Sequence, residues 1–356
     1  MPQTYESVRD LMVTIDAYTL EPLARVMGPE FTRRTTVFHL QGAGEEGLGE
    51  DVTYDEAAQA RQQDAGASLD LAGEWTLGAL SEHLAGQDLF IGEPPSMPAF
   101  QQYRIWALES AALDLALRQA GVALHEVLGR EPRALRFGVS LRLGVPPSIE
   151  PVSARREAYG DVRFKLDYDP GWTPELIAEL VATGGVDVID LKGAYKGTIV
   201  DVETVPDLYR RCAEAFPEAW LEDPDLDDPE ADAALEAHRD RITWDAPIHS
   251  VADVENLRFA PRTLNCKPSR FGSLEALFAF YDFCAAKDIN LYGGGQSELG
   301  VGRGQIQLLA ALFHPDGPND VAPSGWDHAD FPPSGLAVSP LDAAPAATGF
   351  RRADAG

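Results

Sequence analysis

The chain has 356 residues with 57 acidic and 29 basic side chains, a formal charge of −28, and so negative a field argues against nucleic acid or anionic membrane surfaces as partners. With 45% apolar residues it can bury a sizeable core, and its length suits an α/β barrel with an accessory domain. Cys212, Cys266 and Cys284 form no CxxC pair, which argues against a disulfide framework and a thiolate zinc site.

The opening stretch MPQTYESVRDLMVTIDAY lacks a basic start followed by an apolar run, and no apolar run is long enough to span a bilayer. A cytoplasmic, soluble protein is the expectation. Met12 to Ala17 and Thr35 to Leu40 alternate as strands do. Glu21 to Arg34, between them, reads as a mobile loop, and GLGEDV at 47–52 as a turn. Residues 57–100 mix helical stretches with the Pro-rich GEPPSMP. From Tyr103 to Gln119, Ile105, Leu108, Ala112, Leu115 and Ala116 recur at helical spacing and make one apolar face.

From about Arg136 a rhythm sets in. The β-rich runs RFGVSL, VRFKLD, VDVIDL, EAWLE, ITWD, TLNCK, INLYG and NDVA alternate with amphipathic runs such as PELIAELVAT. Their intervals, about 20 to 32 residues, are those of strand–helix–strand units. Eight such units predict an α/β fold: a (β/α)8-type barrel over residues 131–325, preceded by an α+β capping domain over residues 1–130. The tail, 326–356, is Pro/Ala-rich and without period, and is expected to pack back on the capping domain or fray.

Active-site groups of such barrels sit at the C-terminal ends of the strands. Those ends carry Lys165 and Asp167, Asp190 and Lys192, Glu222, Asp245, Lys267, and GGGQSE with Gln296 and Glu298. Residues two apart on a strand face one way, so Lys165 with Asp167, and Asp190 with Lys192, can share one mouth. Three carboxylates there would repel one another, and an all-oxygen set suits Mg²⁺ better than zinc. Lysines crowded beside a metal and one another should lose protons more readily and become usable bases. Taken singly these residues are weaker signals: Glu222-Asp223-Pro224 also matches a helix start with Asp223 as cap.

The pattern resembles the enolase superfamily, within the mandelate racemase/muconate lactonizing enzyme group and closest to its muconate lactonizing enzyme-like branch. FKLD at 164–167 resembles that branch's FKLK; VDVIDLKGAY, WLEDP and WDAPI resemble its metal motifs, and NCKPSRFGSL its sixth-strand lysine segment. WALESAALDLALRQAGVALHEVLG resembles the helix that ends the family's capping domain, and the likeness runs from about 103 to 325. It implies Asp190, Glu222 and Asp245 as Mg²⁺ ligands (Mn²⁺ being a possible substitute), Lys267 as general base or acid, and Lys165 as supporting lysine. Asp167 departs from the motif, which places a catalytic lysine there, and Lys192 stands where a small polar residue is usual. YGGGQSELGVGR resembles, more loosely, methylaspartate ammonia-lyase.

The implied chemistry is removal of the α-proton of a small-molecule carboxylate through a metal-stabilised enediolate, by Lys267. With Asp167 in place of the second lysine, β-elimination of the dehydratase or ammonia-lyase type is favoured. A racemase, epimerase or cycloisomerase is the alternative, and a non-catalytic barrel pinned by a metal the remote one. Asp167, Lys192, Gln296 and Glu298 are expected to contact substrate, with the capping domain closing over it. A homo-oligomer is expected, since barrels of this kind often pair through helices.

Overall fold

Four strands lie near the start of the chain. The computed structural model describes residues 3–28, 31–198, 200–328 and 330–353. Strands β1 (Met12–Ile15), β2 (Ala17–Gly28), β3 (Phe31–Gly42) and β4 (Glu45–Asp51) come first, and β2–β3–β4 form an antiparallel meander. Helix α1 (Glu56–Ala65) follows, then β5 (Gly73–Thr76), which pairs antiparallel with β1, then α2 (Leu77–Ala85) and α3 (Ala99–Ala120).

Two expectations are corrected here. Glu21 to Arg34 is a hairpin of β2 and β3, not a loop, although residues 29 and 30 lie outside those described. Pro22 has no N–H for a ladder, and it is tolerated because β2 is an edge strand. GLGEDV is strand rather than turn: it lies on α3 so closely that a Cβ at Gly49 would stand 2.0 Å from the Ala107 carbonyl oxygen. Its glycines signal that approach, not a reversal.

Helix α3 extends beyond both predicted ends and stops where Gly121 turns left-handed. It buries charges as well as its apolar face. Arg104 meets Asp51 at 2.9 Å, and Asp114 accepts from the backbone of Leu48 and Phe350.

After α4 (Leu124–Leu128) the parallel strands begin. β6 (Val139–Leu141), α5 (Glu150–Tyr159), β7 (Phe164–Asp167), α6 (Pro174–Thr183), β8 (Val186–Asp190), α7 (Pro206–Ala215), β9 (Trp220–Glu222), α8 (Pro229–Leu235) and β10 (Ile242–Thr243) alternate. These five strands form one sheet in chain order. Next come α9 (Val251–Glu255), β11 (Thr263–Cys266), α10 (Pro268–Phe271), α11 (Leu274–Ala286), β12 (Asn290–Gly293) and α12 (Val301–Phe313), with β11 and β12 parallel. Backbone bonds extend the pairing: Asn265 donates to the Trp244 carbonyl at 3.0 Å, Asp320 to Gly293 at 2.7 Å and Gly138 to Asn319 at 2.9 Å.

The predicted strand at NDVA is reduced to two parallel bridges, Phe137 with Asn319 and Gly294 with Asp320. Pro318 and Pro323 flank it and cannot donate to a ladder. The tail pairs Leu341 with Leu135, and Gly349 bonds to Val122 and Leu124 at the end of α3 and start of α4. Among the described residues no helix is long and apolar enough to cross a membrane.

Glu109 of α3 joins the N-terminal elements to the parallel-strand region, accepting from the Ser81 hydroxyl at 2.6 Å and the Leu274 backbone at 2.7 Å. Burial pushes its carboxyl up to about 7. The folded chain therefore holds this proton more tightly than the unfolded chain, whose carboxyl titrates near about 4.5. Stability from this group is greatest below that lower value and falls as pH rises through about 7. Denaturant midpoints at about pH 5 and 8 should show Glu109→Gln losing about 2 kcal/mol less than wild type across that interval.

Candidate active site

Parallel pairing sets the chemistry in rows. Asp167 stands opposite Asp190, Asp190 opposite Glu222, and Glu222 opposite Thr243, so three carboxylates end three adjacent strands at one level. The apolar residues before them, Leu166, Val188, Ile189 and Leu221, are all buried and fix those strands in the core.

Lys165 of β7 lies at the centre. Its Nζ bonds to Glu222 and approaches Asp190 at 3.3 Å and Asp320 at 3.6 Å. The far oxygen of Glu222 accepts from Asn265 at 3.2 Å and from the Tyr292 hydroxyl. Lys192 bonds to Asp190 and stands 3.0 Å from Asp167, whose other oxygen is 3.0 Å from Arg142. On the other side Asp245 receives Lys267 at 2.9 Å, Arg270 at 2.7 Å and the Tyr195 hydroxyl at 3.3 Å. Gly294 packs on that lysine, for a Cβ there would stand 2.7 Å from Lys267 Cε.

The order of forces is legible in the pKa directions. Burial opposes ionisation of Asp190 and Asp245, yet the cations outweigh it and hold both below the usual carboxylate range: Lys192 and Lys165 for the first, Arg270 and Lys267 for the second. Burial, with Asp245 and Asp190, pushes Asp223 up to about 7. Burial also opposes charge on Lys165 and Lys192, but Glu222 and Asp190 hold the first protonated, and Asp190 and Asp167 the second. The carboxylates beside each of these two ammoniums set its proton affinity in this arrangement.

The predicted residues thus fall into three groups. Lys165, Asp167, Asp190, Lys192 and Glu222 meet in one chain of ion pairs, and Lys267 meets Asp245 beside it. Gln296 is engaged towards the N-terminal elements, and Glu298 with its own loop and the start of α12. Gln296 donates to the Tyr103 hydroxyl at 3.0 Å and accepts Arg33 on its carbonyl at 2.8 Å, while Glu298 lies 3.3 Å from Arg303. Glu50 of β4 secures the following turn by accepting from Leu299, Gly300 and Gly302 at the start of α12.

Residues not anticipated are Asp320, Arg270, Tyr195, Asn265 and Tyr292. Asp320 lies in the NDVA run and was open to the same strand-end argument; Arg270 lies three residues after Lys267 on α10. Asp223 is not a helix cap: at φ 47° its carboxylate accepts from the backbone of Asp245 at 2.9 Å and Ala246 at 2.8 Å, and Asp228 caps α8 instead.

Asp190, Glu222 and Asp223 each bring an oxygen within 4.8 Å of the others. Buried carboxylate oxygens at that spacing fit a hard divalent cation such as Mg²⁺. Asp245 is not one of those three; both oxygens of Asp223 accept backbone N–H groups, whereas both oxygens of Asp245 meet only side chains, Arg270, Lys267 and the Tyr195 hydroxyl.

Parallel strands that end in these acids and lysines, behind an antiparallel N-terminal domain, define a member of the enolase superfamily, in its mandelate racemase/muconate lactonizing enzyme group. Within it, the chain belongs to the family described as domain of unknown function DUF8230, whose N-terminal domain matches residues 6–127 and C-terminal domain residues 131–328. An o-succinylbenzoate synthase of Geobacillus kaustophilus is 29% identical over 233 residues, covering 62% of this chain and 60% of that protein. An N-succinylamino acid racemase of Amycolatopsis is 29% identical over 316 residues, covering 85% and 82%. The dipeptide epimerase of Methylococcus capsulatus, solved with Mg and a dipeptide, shares the fold at TM-score 0.66 and 20% identity, over 89% of this chain and 92% of that one.

Proposed function

We propose that this chain is a Mg²⁺-dependent enzyme that removes the α-proton of a small carboxylate at the mouth of a closed (β/α)8-type barrel. Closure is supported by the bonds from β10 to β11 and through Asn319 and Asp320 to β6. Asp190, Glu222 and Asp245 would hold the cation, with Asp223 fixing the backbone that carries Asp245. When bound, the cation supplies positive charge where negative charge develops on the substrate carboxylate. Lys267 takes the proton, Lys165 remains an ammonium that steadies the carboxylates, and Asp167, Lys192, Gln296 and Glu298 line the substrate's approach.

The observation that carries this reading is the convergence of Lys165, Asp190 and Glu222 with Lys267 and Asp245 in one buried mouth. Asp167, held by Arg142 and Lys192, leaves Lys267 as a single base and favours β-elimination of water or an amine. One contact favours the second reading, racemisation or epimerisation: Lys192 puts an ammonium 3.0 Å from Asp167, beside the position where the related branch has its second lysine. Incubating carboxylates, sugar acids and N-succinylamino acids with enzyme and Mg²⁺ in D₂O separates the two. A product with a new double bond, or its keto tautomer, is the expected outcome. Recovery of the opposite stereoisomer with deuterium at the α-carbon would select the second reading.

A further inference from the structure

The chain has only five lysines, and three of them, Lys165, Lys192 and Lys267, stand at this mouth. Lys192 reaches it by an unusual route. It leaves β8 in the left-handed region at φ 57°, a conformation uncommon for a side-chain-bearing residue. The turn brings its backbone N–H to 3.2 Å from Asp190 Oδ1 and its ammonium back onto Asp190 Oδ2. Strand alternation, the basis on which the pair was expected to meet, plays no part. The same ammonium touches a second carboxylate, Asp167 Oδ1, at 3.0 Å, and lies 5.4 Å from the centre of the Tyr195 ring. Lys165 approaches the same Oδ2 of Asp190, at 3.3 Å.

A divalent cation on Asp190 Oδ2 would therefore compete with these ammoniums for the same oxygen. Cation and ammonium cannot both take it at close range, because like charges repel strongly at contact in a mouth this buried. Lys165 has Glu222 and Asp320 to fall back on, and Lys192 has Asp167. Asp167 is held for that purpose on its far side by Arg142 at 3.0 Å.

We propose that Lys192 is a built-in competitor for the divalent cation, a positioning residue that neutralises Asp190 and is handed over to Asp167 as the cation binds. The inference rests on Asp190 being a metal ligand, as proposed above. Asp167 then has a definite role in place of the lysine that the related branch carries there: it receives the displaced ammonium and keeps it at the mouth.

The test is isothermal titration of Mg²⁺ into wild type, Lys192→Met, Asp167→Asn and the double variant, with the melting temperature of each measured in EDTA. If Lys192 covers Asp190 in about nine molecules of ten, its removal tightens Mg²⁺ binding about tenfold. The same variant melts lower in EDTA, since Asp190 loses a counter-charge. Asp167→Asn, which leaves Lys192 with Asp190 as its remaining carboxylate, weakens Mg²⁺ binding severalfold. Opposite signs that fail to add are the signature: with Lys192→Met already in place, Asp167→Asn has no further effect, whereas mere removal of charge would give opposite effects that add. Unchanged or weaker binding by Lys192→Met, unchanged binding by Asp167→Asn, or effects that add overturn the proposal. Should wild type itself bind no Mg²⁺, the metal reading falls as well, a separate and recognisable result.

Discussion

Lys267→Ala is expected to turn over substrate at least about a hundredfold more slowly than wild type, the lower end for loss of a general base. Its fold should persist and its Mg²⁺ affinity should not fall below that of wild type, for a specific reason. Asp245, the partner that Lys267 leaves behind, keeps Arg270 at 2.7 Å and the Tyr195 hydroxyl at 3.3 Å, so no buried carboxylate is stranded. A drop in turnover at an unchanged melting temperature, with Mg²⁺ bound no more weakly than by wild type, therefore assigns the proton to Lys267. Turnover equal to wild type would move the base elsewhere, to Lys165 or Lys192.

Glu222→Gln should act on stability and metal together. The carboxylate is fully buried among Lys165, Asn265 and Tyr292, and its loss leaves the Lys165 ammonium with Asp190 and Asp320 alone. Breaking a buried pair on one side costs about 3 kcal/mol. A ligand present at about a thousandfold over its dissociation constant adds about 4 kcal/mol to wild-type stability, and the variant should lose most of that gain. Melting curves in EDTA and in excess Mg²⁺ are the measurement. Wild-type curves that coincide would remove the metal from the site.

How much of this was legible in the sequence depended on which force set each residue. Strand ends are set by a short local pattern, apolar residues then an acid or lysine, so Asp190, Glu222, Asp245, Lys165 and Lys267 could be found without a structure. The β2–β3 hairpin was misread because Pro22 breaks a strand pattern unless the strand is an edge, and edges are fixed by partners distant in sequence. Asp223 looked like a cap because only the fold shows that its carboxylate holds the backbone of the next strand. Lys192 was expected to join Asp190 by strand alternation, whereas a left-handed turn returns its ammonium to that carboxylate. The proton affinities of Lys165 and Lys192 are set by the carboxylates gathered around each ammonium, and that gathering is a tertiary property. Gln296 and Glu298 could be read as glycine-loop polar residues, but not as the place where Arg33 and Glu50 from the N-terminal domain fasten that loop.

The most direct test of the central claim is loss of the α-proton signal, followed by NMR in D₂O, for a carboxylate that the enzyme accepts. Exchange or product formation is expected in Mg²⁺ with wild type, none above background in EDTA, and at least about a hundredfold slower change with Lys267→Ala. Equal rates with and without the cation, or product formed with the α-proton retained, would contradict it.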